Sequence, residues 1–343
     1  MRLVSFLAAG RVRTGVVDPV TDEVVDLTSP GVGLPGEMPR LLELGADGLE
    51  AAARALGLGR GRGLGPGPGP GPGPGPGLGG GTSSVERHPL DGITLLAPVP
   101  RPPSFLAIAK NYAAHIRELD HEAPAHQTWF SKQPTCVVGT GVAIEVPAVS
   151  ETVDYEGELA MVIGRRCRHV PVDRALEVVA GYTVVNDVSV RDWQWRSPTM
   201  MLGKGFDTHG PTGPWITTTD EIDDPQDLTV RTWVNDELRQ DGTTADMIFS
   251  CAEMVAHLSQ AFTLEPGMLL STGTPAGVAA GMDPPRWLVA GDIVRIEVEG
   301  VGTLSNPVAD EVADEVVDAV ADEVVGGRWA GGGRVVGPDG WTG

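Results

Sequence analysis

The segment from Val153 to Ile163 constrains the fold of this chain more than any other stretch, because it places two glutamates at the start of an unbroken apolar run. Side chains alternate between the two faces of a β-strand, so Glu156 and Glu158 project from the same face. The apolar residues after them predict a strand buried in a sheet. Two carboxylates on one face repel each other unless a cation lies between them or one takes up a proton. A solvated strand with an acidic face is the alternative for a bare Glu-x-Glu pattern.

A third carboxylate follows another strand-like run further along the chain. Residues 181–187, Gly-Tyr-Thr-Val-Val-Asn-Asp, are rich in the β-branched and aromatic side chains that favour strands. They predict a buried strand that ends at Asp187. Carboxylate oxygens are the ligands that a hard divalent cation such as Mg2+ prefers in proteins. We therefore predict one metal site formed by Glu156, Glu158 and Asp187.

Several further motifs occur in a fixed order on either side of these strands. They are Lys-Asn-Tyr-Ala-Ala-His at 110–115, Phe-Ser-Lys at 130–132, Asp-Tyr-Glu-Gly-Glu-Leu-Ala at 154–160, Asn-Asp-Val-Ser-Val-Arg-Asp-Trp-Gln at 186–194, Gly-Lys-Gly-Phe-Asp-Thr at 203–208 and Ser-Thr-Gly-Thr-Pro-Ala-Gly-Val at 271–278. Each motif alone is weak evidence. Together, and in this order, they resemble the fumarylacetoacetate hydrolase family from about Leu95 to Val308.

The resemblance implies an architecture and a state of assembly. The expected fold is α+β and rich in strands, with a mixed β-roll or β-sandwich catalytic domain of the family type and a small N-terminal α/β domain. The family also implies a homodimer. Its substrates are typically small dicarbonyl acids, the 2,4-dioxo acids or their enols.

A catalytic pair is predicted just after the first motif. If residues 111–119 form a helix, His115 and Glu118 lie three residues apart and share one face. A carboxylate beside an imidazole raises its basicity and fixes its tautomer, which suits the pair to activating a water molecule. An isolated His-x-x-Glu pattern is more often an exposed helix pair, but the resemblance favours the catalytic interpretation. The resemblance also makes Lys204, between two glycines, the third catalytic residue.

The same resemblance implies which residues hold the substrate. They are Lys132, Arg191, Gln194 and Thr274. A surface lysine at a strand end is the alternative for Lys132, and spacing does not separate the two interpretations. His121 and His126 are expected on the surface of a lid that closes over the substrate.

The implied function is a Mg2+-dependent hydrolase that cleaves a carbon–carbon bond in an acylpyruvate-like or fumarylpyruvate-like 2,4-dioxo acid. Mn2+ or Ca2+ could replace Mg2+, since all three accept oxygen ligands. His115 would activate the water, while the metal and Lys204 would stabilise the expelled enolate. Isomerisation of 2-hydroxyhepta-2,4-diene-1,7-dioate and decarboxylation of oxaloacetate use the same enolate and stay open as alternatives. A noncatalytic metal-binding protein is disfavoured, because it has no use for a water-activating pair.

Changes of composition divide the chain into four stretches, of which two are predicted to fold around a core. Residues 1–58 predict a small α/β unit with a hairpin at Ala9-Gly10 and a helix from Leu41 to Leu56. Residues 86–308 form the predicted catalytic domain, whose clearest helix is Met247 to Phe262 because its apolar side chains recur at helical spacing.

The other two stretches are a linker and a tail. Residues 59–85 predict a linker, because the Gly-Pro alternation from 65 to 77 removes backbone donors and adds chain entropy. Residues 309–343 form an acidic C-terminal extension with valines four apart, which predicts either a docked amphipathic helix or a poorly ordered tail. Neither stretch is expected to contribute to the metal site.

Charge and cysteine content exclude some partners and compartments. The formal net charge of -21 argues against nucleic acid and anionic membranes, which require clustered Lys and Arg. No apolar segment has the length that a membrane-spanning helix needs. The cysteines Cys136, Cys167 and Cys251 cannot all pair and fit neither a zinc site nor a disulfide framework. A reducing compartment, and hence a cytoplasmic location, is the expectation.

Overall fold

The computed structural model describes residues 1–57 and 84–312. The predicted Gly-Pro linker lies outside these ranges except for residues 84 and 85, and the predicted acidic extension except for residues 309–312.

The chain opens with a β-hairpin, as predicted. Ala9 and Gly10 both take positive φ angles, 50° and 71°, which is the combination that a tight two-residue hairpin turn requires. The predicted helix from Leu41 to Leu56 is divided in two, because Gly45 takes a φ of 57° that no regular helix contains. The elements of this region are β1 (Arg2–Ala8), β2 (Arg11–Asp18), β3 (Glu23–Asp26), α1 (Met38–Glu43) and α2 (Gly45–Ala55).

Short strands and few helices dominate the rest of the described chain. The strands are β4 (Arg87–Pro89), β5 (Thr94–Leu95), β6 (Phe105–Ala109), β7 (Thr128–Lys132), β8 (Val137–Val138), β9 (Ile144–Val146), β10 (Val153–Asp154), β11 (Gly157–Ile163), β12 (Val179–Asn186), β13 (Ser189–Val190), β14 (Gly210–Thr218), β15 (Thr229–Val234), β16 (Glu237–Thr243), β17 (Leu269–Ser271), β18 (Ile293–Val298) and β19 (Gly302–Asp310). The helices are α3 (Ala113–Glu118), α4 (Arg191–Gln194), α5 (Met201–Lys204) and α6 (Cys251–Ala261).

Two mixed sheets organise these strands. The larger runs β4-β3-β2-β1-β14-β12-β11-β17-β6-β7, with β5 paired to β1 and β8 to β14. The smaller runs β16-β15-β18-β19-β9, and β10 pairs separately with β13. Most neighbours are antiparallel, whereas β6 with β17, β8 with β14 and β9 with β19 are parallel. The predicted α+β, β-rich fold with mixed sheets is confirmed.

Strand β11 lies in the middle of the larger sheet and is buried on both faces. Leu159 and Met161 enter a core cluster shared with β15, β18 and α6, while Ala160 and Val162 enter a second cluster shared with α1 and β1. Burial on both faces explains why the apolar run in this strand does not alternate with polar residues.

The N-terminal stretch is not a compact unit of its own. Strand β1 pairs with β14, with Arg2 opposite Thr217, so the first strands extend the sheet that carries the predicted catalytic motifs. Met1–Asp310 accordingly form one compact unit. The predicted boundary at residue 58 lies within this unit, and the one at 308 falls two residues before the end of β19.

Helix α6 is shorter than predicted at its start. Ser250 caps it by accepting a hydrogen bond from the backbone of Glu253, whose side chain accepts one from the backbone of Ser250. His257 lies on the exposed face of this helix. No helix in residues 1–57 and 84–312 combines the length and the apolar character needed to cross a membrane.

Candidate active site and metal centre

Three buried carboxylates converge where β11 begins and β12 ends. These strands pair antiparallel with Gly157 opposite Asn186, and the backbone N–H of Asp187 donates to the carbonyl of Glu156 over 2.8 Å. Each of Glu156, Glu158 and Asp187 offers a carboxylate oxygen, and these atoms lie within 4.8 Å of one another. The side chains are almost inaccessible, with residue exposures of 5%, 1% and 1%.

Three cations surround two of these carboxylates. The ammonium of Lys204 donates to Glu156 Oε2 over 2.6 Å and to Asp187 Oδ2 over 2.8 Å. The ammonium of Lys132 lies 2.7 Å from Asp187 Oδ1, and Arg191 Nη1 lies 2.7 Å from Glu156 Oε1. Burial alone raises the pKa of Glu156, but the charges of Lys204 and Arg191 outweigh it, so that this pKa lies well below its ordinary value.

Glu158 has a different environment. Its Oε2 accepts hydrogen bonds from Ser271 Oγ over 2.5 Å and from the backbone N–H of Gly273 over 2.8 Å. Burial, together with repulsion from Asp187 and Glu156, raises the pKa of Glu158 well above its ordinary value. A cation placed between the three carboxylates would relieve this repulsion.

The donor set therefore fits a divalent metal ion. Its atoms are all oxygens, which suits a hard cation such as Mg2+ or Mn2+. Glu156, Glu158 and Asp187, the ligands predicted from the sequence, are the residues that would hold the ion.

A second acidic cluster of the same unit, partly buried and partly exposed, pairs with an arginine. Asp26, Glu86 and His88 approach one another closely, but Arg13 lies among them. Its guanidinium donates to Asp26 and lies 3.0 Å from Glu86. Arg13 thus pairs with both acids, and Glu86 is exposed, unlike the three buried carboxylates of the candidate metal centre.

The predicted catalytic pair is assembled on α3. His115 Nδ1 lies 3.2 Å from Glu118 Oε2, and Glu118 Oε1 accepts a hydrogen bond from the backbone N–H of Gly277 over 2.8 Å. Glu118 is therefore anchored to the loop after β17, and its other carboxylate oxygen orients the imidazole of His115 through Nδ1. With Nδ1 engaged in this way, Nε2 is the nitrogen left for a substrate or water molecule.

A cavity of about 790 Å³ joins the pair to the carboxylates. Of the predicted site residues, eight line it: His115, Glu156, Glu158, Asp187, Arg191, Gln194, Lys204 and Thr274. Glu118 lies behind His115. Lys132 is fully buried and lies outside the described lining, so it is not the surface lysine that its sequence context allowed.

Three further residues, which were not predicted from the sequence, position the site. Asp154 binds Arg191, with Arg191 Nη2 2.7 Å from Asp154 Oδ2. Gln240 bridges the start of β11 and the loop after β17: its Oε1 accepts from Gly157 N over 2.9 Å and its Nε2 donates to Thr274 Oγ1 over 2.7 Å. The side chain of Asn111 donates to the carbonyls of Phe249 and Thr272 over 3.0 and 2.8 Å. Asp154 and Asn111 stand inside the motifs, whereas nothing local marks Gln240.

Comparison with known proteins identifies the family. The fumarylacetoacetate (FAA) hydrolase C-terminal family matches residues 104–309, which is more than half of the chain. The chain therefore belongs to the fumarylacetoacetate hydrolase family, as its motifs predicted.

Individual relatives are named for several reactions. The chain is 35% identical over 314 residues to the mitochondrial oxaloacetate tautomerase fahd2 of Xenopus laevis, covering 90% of each chain. It is 42% identical over 223 residues to the oxaloacetate tautomerase YisK of Bacillus subtilis, covering 64% of this chain and 74% of that one. The fold is similar to maleylpyruvate hydrolase from Sphingobium sp. SYK-6 in complex with manganese(II) and pyruvate, with a TM-score of 0.70, 32% identity, and 91% and 100% of the two chains covered. These relatives are enzymes of small oxo acids.

Proposed function

We propose that this protein is a metal-dependent tautomerase that interconverts the keto and enol forms of oxaloacetate. The observation that carries the proposal is the His115–Glu118 pair, 3.2 Å apart, in the wall of the cavity that contains the three carboxylates. A tautomerase needs one group that both removes and returns a proton, and a histidine backed by a carboxylate can do both near neutral pH. Two curated relatives that carry this activity in their names support the choice of reaction.

We propose that Mg2+ is the metal, with Mn2+ or Ca2+ as alternatives, and that Glu156, Glu158 and Asp187 hold it. The ion would supply Lewis acidity at the 2-oxo group of the substrate, which makes the neighbouring C–H more acidic. The manganese(II) in the similar maleylpyruvate hydrolase supports a divalent metal in this type of site.

The residues of the chain would then carry the proton. His115 Nε2 takes a proton from C3 of the keto form, the electron pair of that C–H bond forms the C2–C3 double bond, and the π pair of the C2=O bond moves onto the oxygen. Glu118 stabilises the imidazolium that results, as its hydrogen bond to Gly277 keeps it in place. His115 then gives the same proton to the oxygen on C2. The enol therefore contains the same atoms as the keto form, and His115 is neutral again.

Lys204, Arg191 and Thr274 would position the carboxylates and the substrate. Lys204 and Arg191 keep Glu156 ionised and ready to bind a cation. Thr274 Oγ1 donates to the carbonyl of Gly157 over 2.9 Å, which fixes the loop after β17 against β11. Gln194 Oε1 accepts from Arg191 Nη1 over 2.9 Å, and Gln194 is part of the cavity lining.

Carbon–carbon hydrolysis of a 2,4-dioxo acid such as an acylpyruvate or fumarylpyruvate is the second candidate. It is favoured by the same His115–Glu118 pair, which could activate a water molecule instead of a C–H bond, and by the similarity to maleylpyruvate hydrolase. Isomerisation of 2-hydroxyhepta-2,4-diene-1,7-dioate and decarboxylation of oxaloacetate remain further outcomes of the experiment below.

The test is a substrate panel with the Mg2+-loaded protein. We expect the loss of the ultraviolet absorbance of enol-oxaloacetate to be accelerated well above the buffer rate, with a larger kcat/KM than for acetylpyruvate, fumarylpyruvate or the hydroxyheptadienedioate. Pyruvate released from oxaloacetate should lag far behind ketonisation. A kcat/KM for either dioxo acid that exceeds the one for enol-oxaloacetate would overturn the proposal in favour of hydrolysis.

We also propose a homodimer, which the family resemblance implies. Trp195 and Leu202 are exposed by 66% and 57% on neighbouring segments, which suits a surface covered by a second copy. Light scattering after size-exclusion chromatography should give twice the chain mass, and a monomeric mass at micromolar concentration would contradict the proposal.

A further inference from the structure

Lysine is rare in this chain, and all three lysines lie at the candidate metal centre or in the wall of its cavity. Lys110, Lys132 and Lys204 are the only lysines in the sequence, so arginine supplies every other side-chain cation apart from histidine. Lys132 and Lys204 contact the carboxylates of the candidate metal centre. Lys110 is half-buried and lines the same cavity.

The cations in the cavity wall differ in whether they are already paired. Arg191 and Lys204 are bound to Asp154, Glu156 and Asp187 over distances of 2.6 to 2.8 Å. The side chain of Lys110, in contrast, forms no ion pair or hydrogen bond within residues 1–57 and 84–312. Its positive charge is therefore available to a ligand.

The backbone holds Lys110 in an uncommon conformation. Its φ angle is 58°, in the left-handed region that non-glycine residues seldom occupy and that is often found at functional sites. The next residue, Asn111, fixes this bend, because its side chain donates to the carbonyls of Phe249 and Thr272 and its Oδ1 accepts from Phe249 N over 2.8 Å. The local fold is thus anchored to keep Lys110 at the cavity wall.

The substrate of the proposed reaction has a second carboxylate, which would not bind the metal ion. Oxaloacetate can chelate an ion through its 2-oxo group and the adjacent carboxylate, which leaves the carboxylate on C3 without a partner. Burying that carboxylate unpaired would be costly, whereas an ammonium at hydrogen-bonding distance stabilises it. We propose that Lys110 binds this distal carboxylate and so selects dicarboxylate 2-oxo acids. This inference rests on the proposed function.

The other basic groups near the mouth of the cavity are less suited to the role. His121 lines the cavity, and partial burial together with the charges of Lys110 and His115 lowers its pKa. Its neutral form is therefore favoured, which makes it less suited than Lys110 to supply a positive charge. His115 is engaged by Glu118 and is assigned to proton transfer.

The kinetic test uses a pair of substrates that differ only at the distal group. 2-Oxobutyrate carries a methyl group where oxaloacetate carries the carboxylate, and its enolisation is measured by deuterium exchange at C3. Lys110→Gln should lower kcat/KM for oxaloacetate by about 10- to 100-fold, mainly through KM, because a hydrogen bond to a charged group is lost. Exchange into 2-oxobutyrate should stay within about twofold, and Lys110→Arg should recover much of the oxaloacetate activity.

A matched control and a binding measurement make the test decisive. Arg117→Gln removes the same charge from an exposed position on α3 that lies outside the described cavity lining, and should change neither substrate. Calorimetry with Mg2+-loaded protein measures the affinities for malate and 2-hydroxybutyrate. Neither ligand has the 2-oxo group that the reaction needs, and only malate has the distal carboxylate. Wild type should prefer malate, and Lys110→Gln should lose that preference.

The two proposals fail in different ways. If wild type ketonises none of the oxo acids but prefers malate and Lys110→Gln does not, the proposed function fails and the carboxylate site stands. If wild type acts on oxaloacetate and Lys110→Gln affects both substrates equally, or neither, the assignment of Lys110 is overturned while the proposed function stands.

Discussion

Asp154 and Arg191 form a buried ion pair directly behind the candidate metal centre, with Arg191 Nη2 2.7 Å from Asp154 Oδ2 and residue exposures of 2% for Arg191 and 0% for Asp154. The carboxylate of Asp154 also accepts hydrogen bonds from the backbone of Ala279 and Ala280 over 2.8 and 3.0 Å. Because Arg191 in turn lies 2.7 Å from Glu156, Asp154 connects the loop around residue 279 to a predicted metal ligand.

Asp154→Asn should therefore destabilise the whole unit. The substitution keeps the shape of the side chain but leaves the guanidinium of Arg191 buried with one fewer negative partner, which typically costs about 3 to 5 kcal/mol. Urea unfolding followed by fluorescence measures the change. The matched control is Asp241→Asn, which breaks an exposed pair with Arg231 of 2.9 Å and should cost about 1 kcal/mol or less. Equal losses in the two variants would contradict a structural role for the buried pair.

Glu158→Gln should weaken binding of Mg2+ strongly while the fold persists. The amide keeps the size of the side chain but removes the carboxylate that repels Asp187 and Glu156, so the variant loses a metal ligand without gaining a buried charge. Isothermal calorimetry gives the affinity, and circular dichroism checks the fold. Glu151→Gln, at an exposed position before β10, is the control and should bind Mg2+ as wild type does. Equal affinity in wild type and Glu158→Gln would show that the metal site is assigned wrongly.

His115→Ala should separate proton transfer from metal binding. General acid–base groups typically contribute about 10^2 to 10^4 in rate, so ketonisation of enol-oxaloacetate, or hydrolysis of an acylpyruvate, should fall by that order. Decarboxylation of oxaloacetate should fall less, because it needs no base, and Mg2+ affinity should not change. His257→Ala on the exposed face of α6 is the control. Turnover by His115→Ala at the wild-type rate would refute the role of this histidine and favour the decarboxylase alternative.

The sequence predicted the central strand because two local signals agreed there. The apolar run after Glu158 and the acidic positions 156 and 158 are both properties of one short segment; β11 contains Glu158 and the apolar run, and Glu156 directly precedes it. Residues 1–58 were predicted as a small domain, but the pairing of β1 with β14 joins Arg2 to Thr217, which is far away in the chain. Composition marks a linker, but it does not reveal which sheet a strand joins.

In the candidate site, too, contacts between neighbours in sequence could be predicted, whereas contacts between distant segments could not. His115 and Glu118 are neighbours in sequence, so their pairing could be predicted from helical spacing, and it is observed at 3.2 Å. The burial of Lys132 beneath Asp187 could not be predicted, since it depends on the packing of β7 against the loop after β12. Gln240 was missed because its partners, Gly157 and Thr274, come from distant elements.

The Gly-Pro tract and the acidic extension should be dispensable for catalysis if the cut respects β19. This strand runs to Asp310, and its Ala309 and Asp310 pair with Glu145 and Val146 of β9. Removing residues 313–343 and replacing 65–77 with a Gly-Ser spacer should preserve most of kcat/KM. Cutting after Val308 instead should lower the unfolding temperature, because it removes the end of that ladder. A loss of several orders of magnitude after removal of 313–343 and replacement of 65–77, with the fold intact, would mean that a removed segment reaches the active site.

His209 should make the protein sensitive to acid. Its ring is fully buried before β14, with Nε2 2.8 Å from the carbonyl of Glu145, and burial lowers its pKa from 6.5 to about 4. The histidine of the unfolded chain therefore binds a proton below pH 6.5, whereas that of the folded chain binds one only below about pH 4. The free energy of unfolding consequently decreases as the pH falls from 6.5 to about 4. Between pH 7.5 and 4.5 this histidine alone should lower the free energy of unfolding by about 2 to 3 kcal/mol. Urea unfolding of His209→Gln should show a loss smaller by that amount, whereas the exposed His257→Gln should follow wild type, and identical pH profiles for wild type and His209→Gln would show that His209 is not buried in its neutral form.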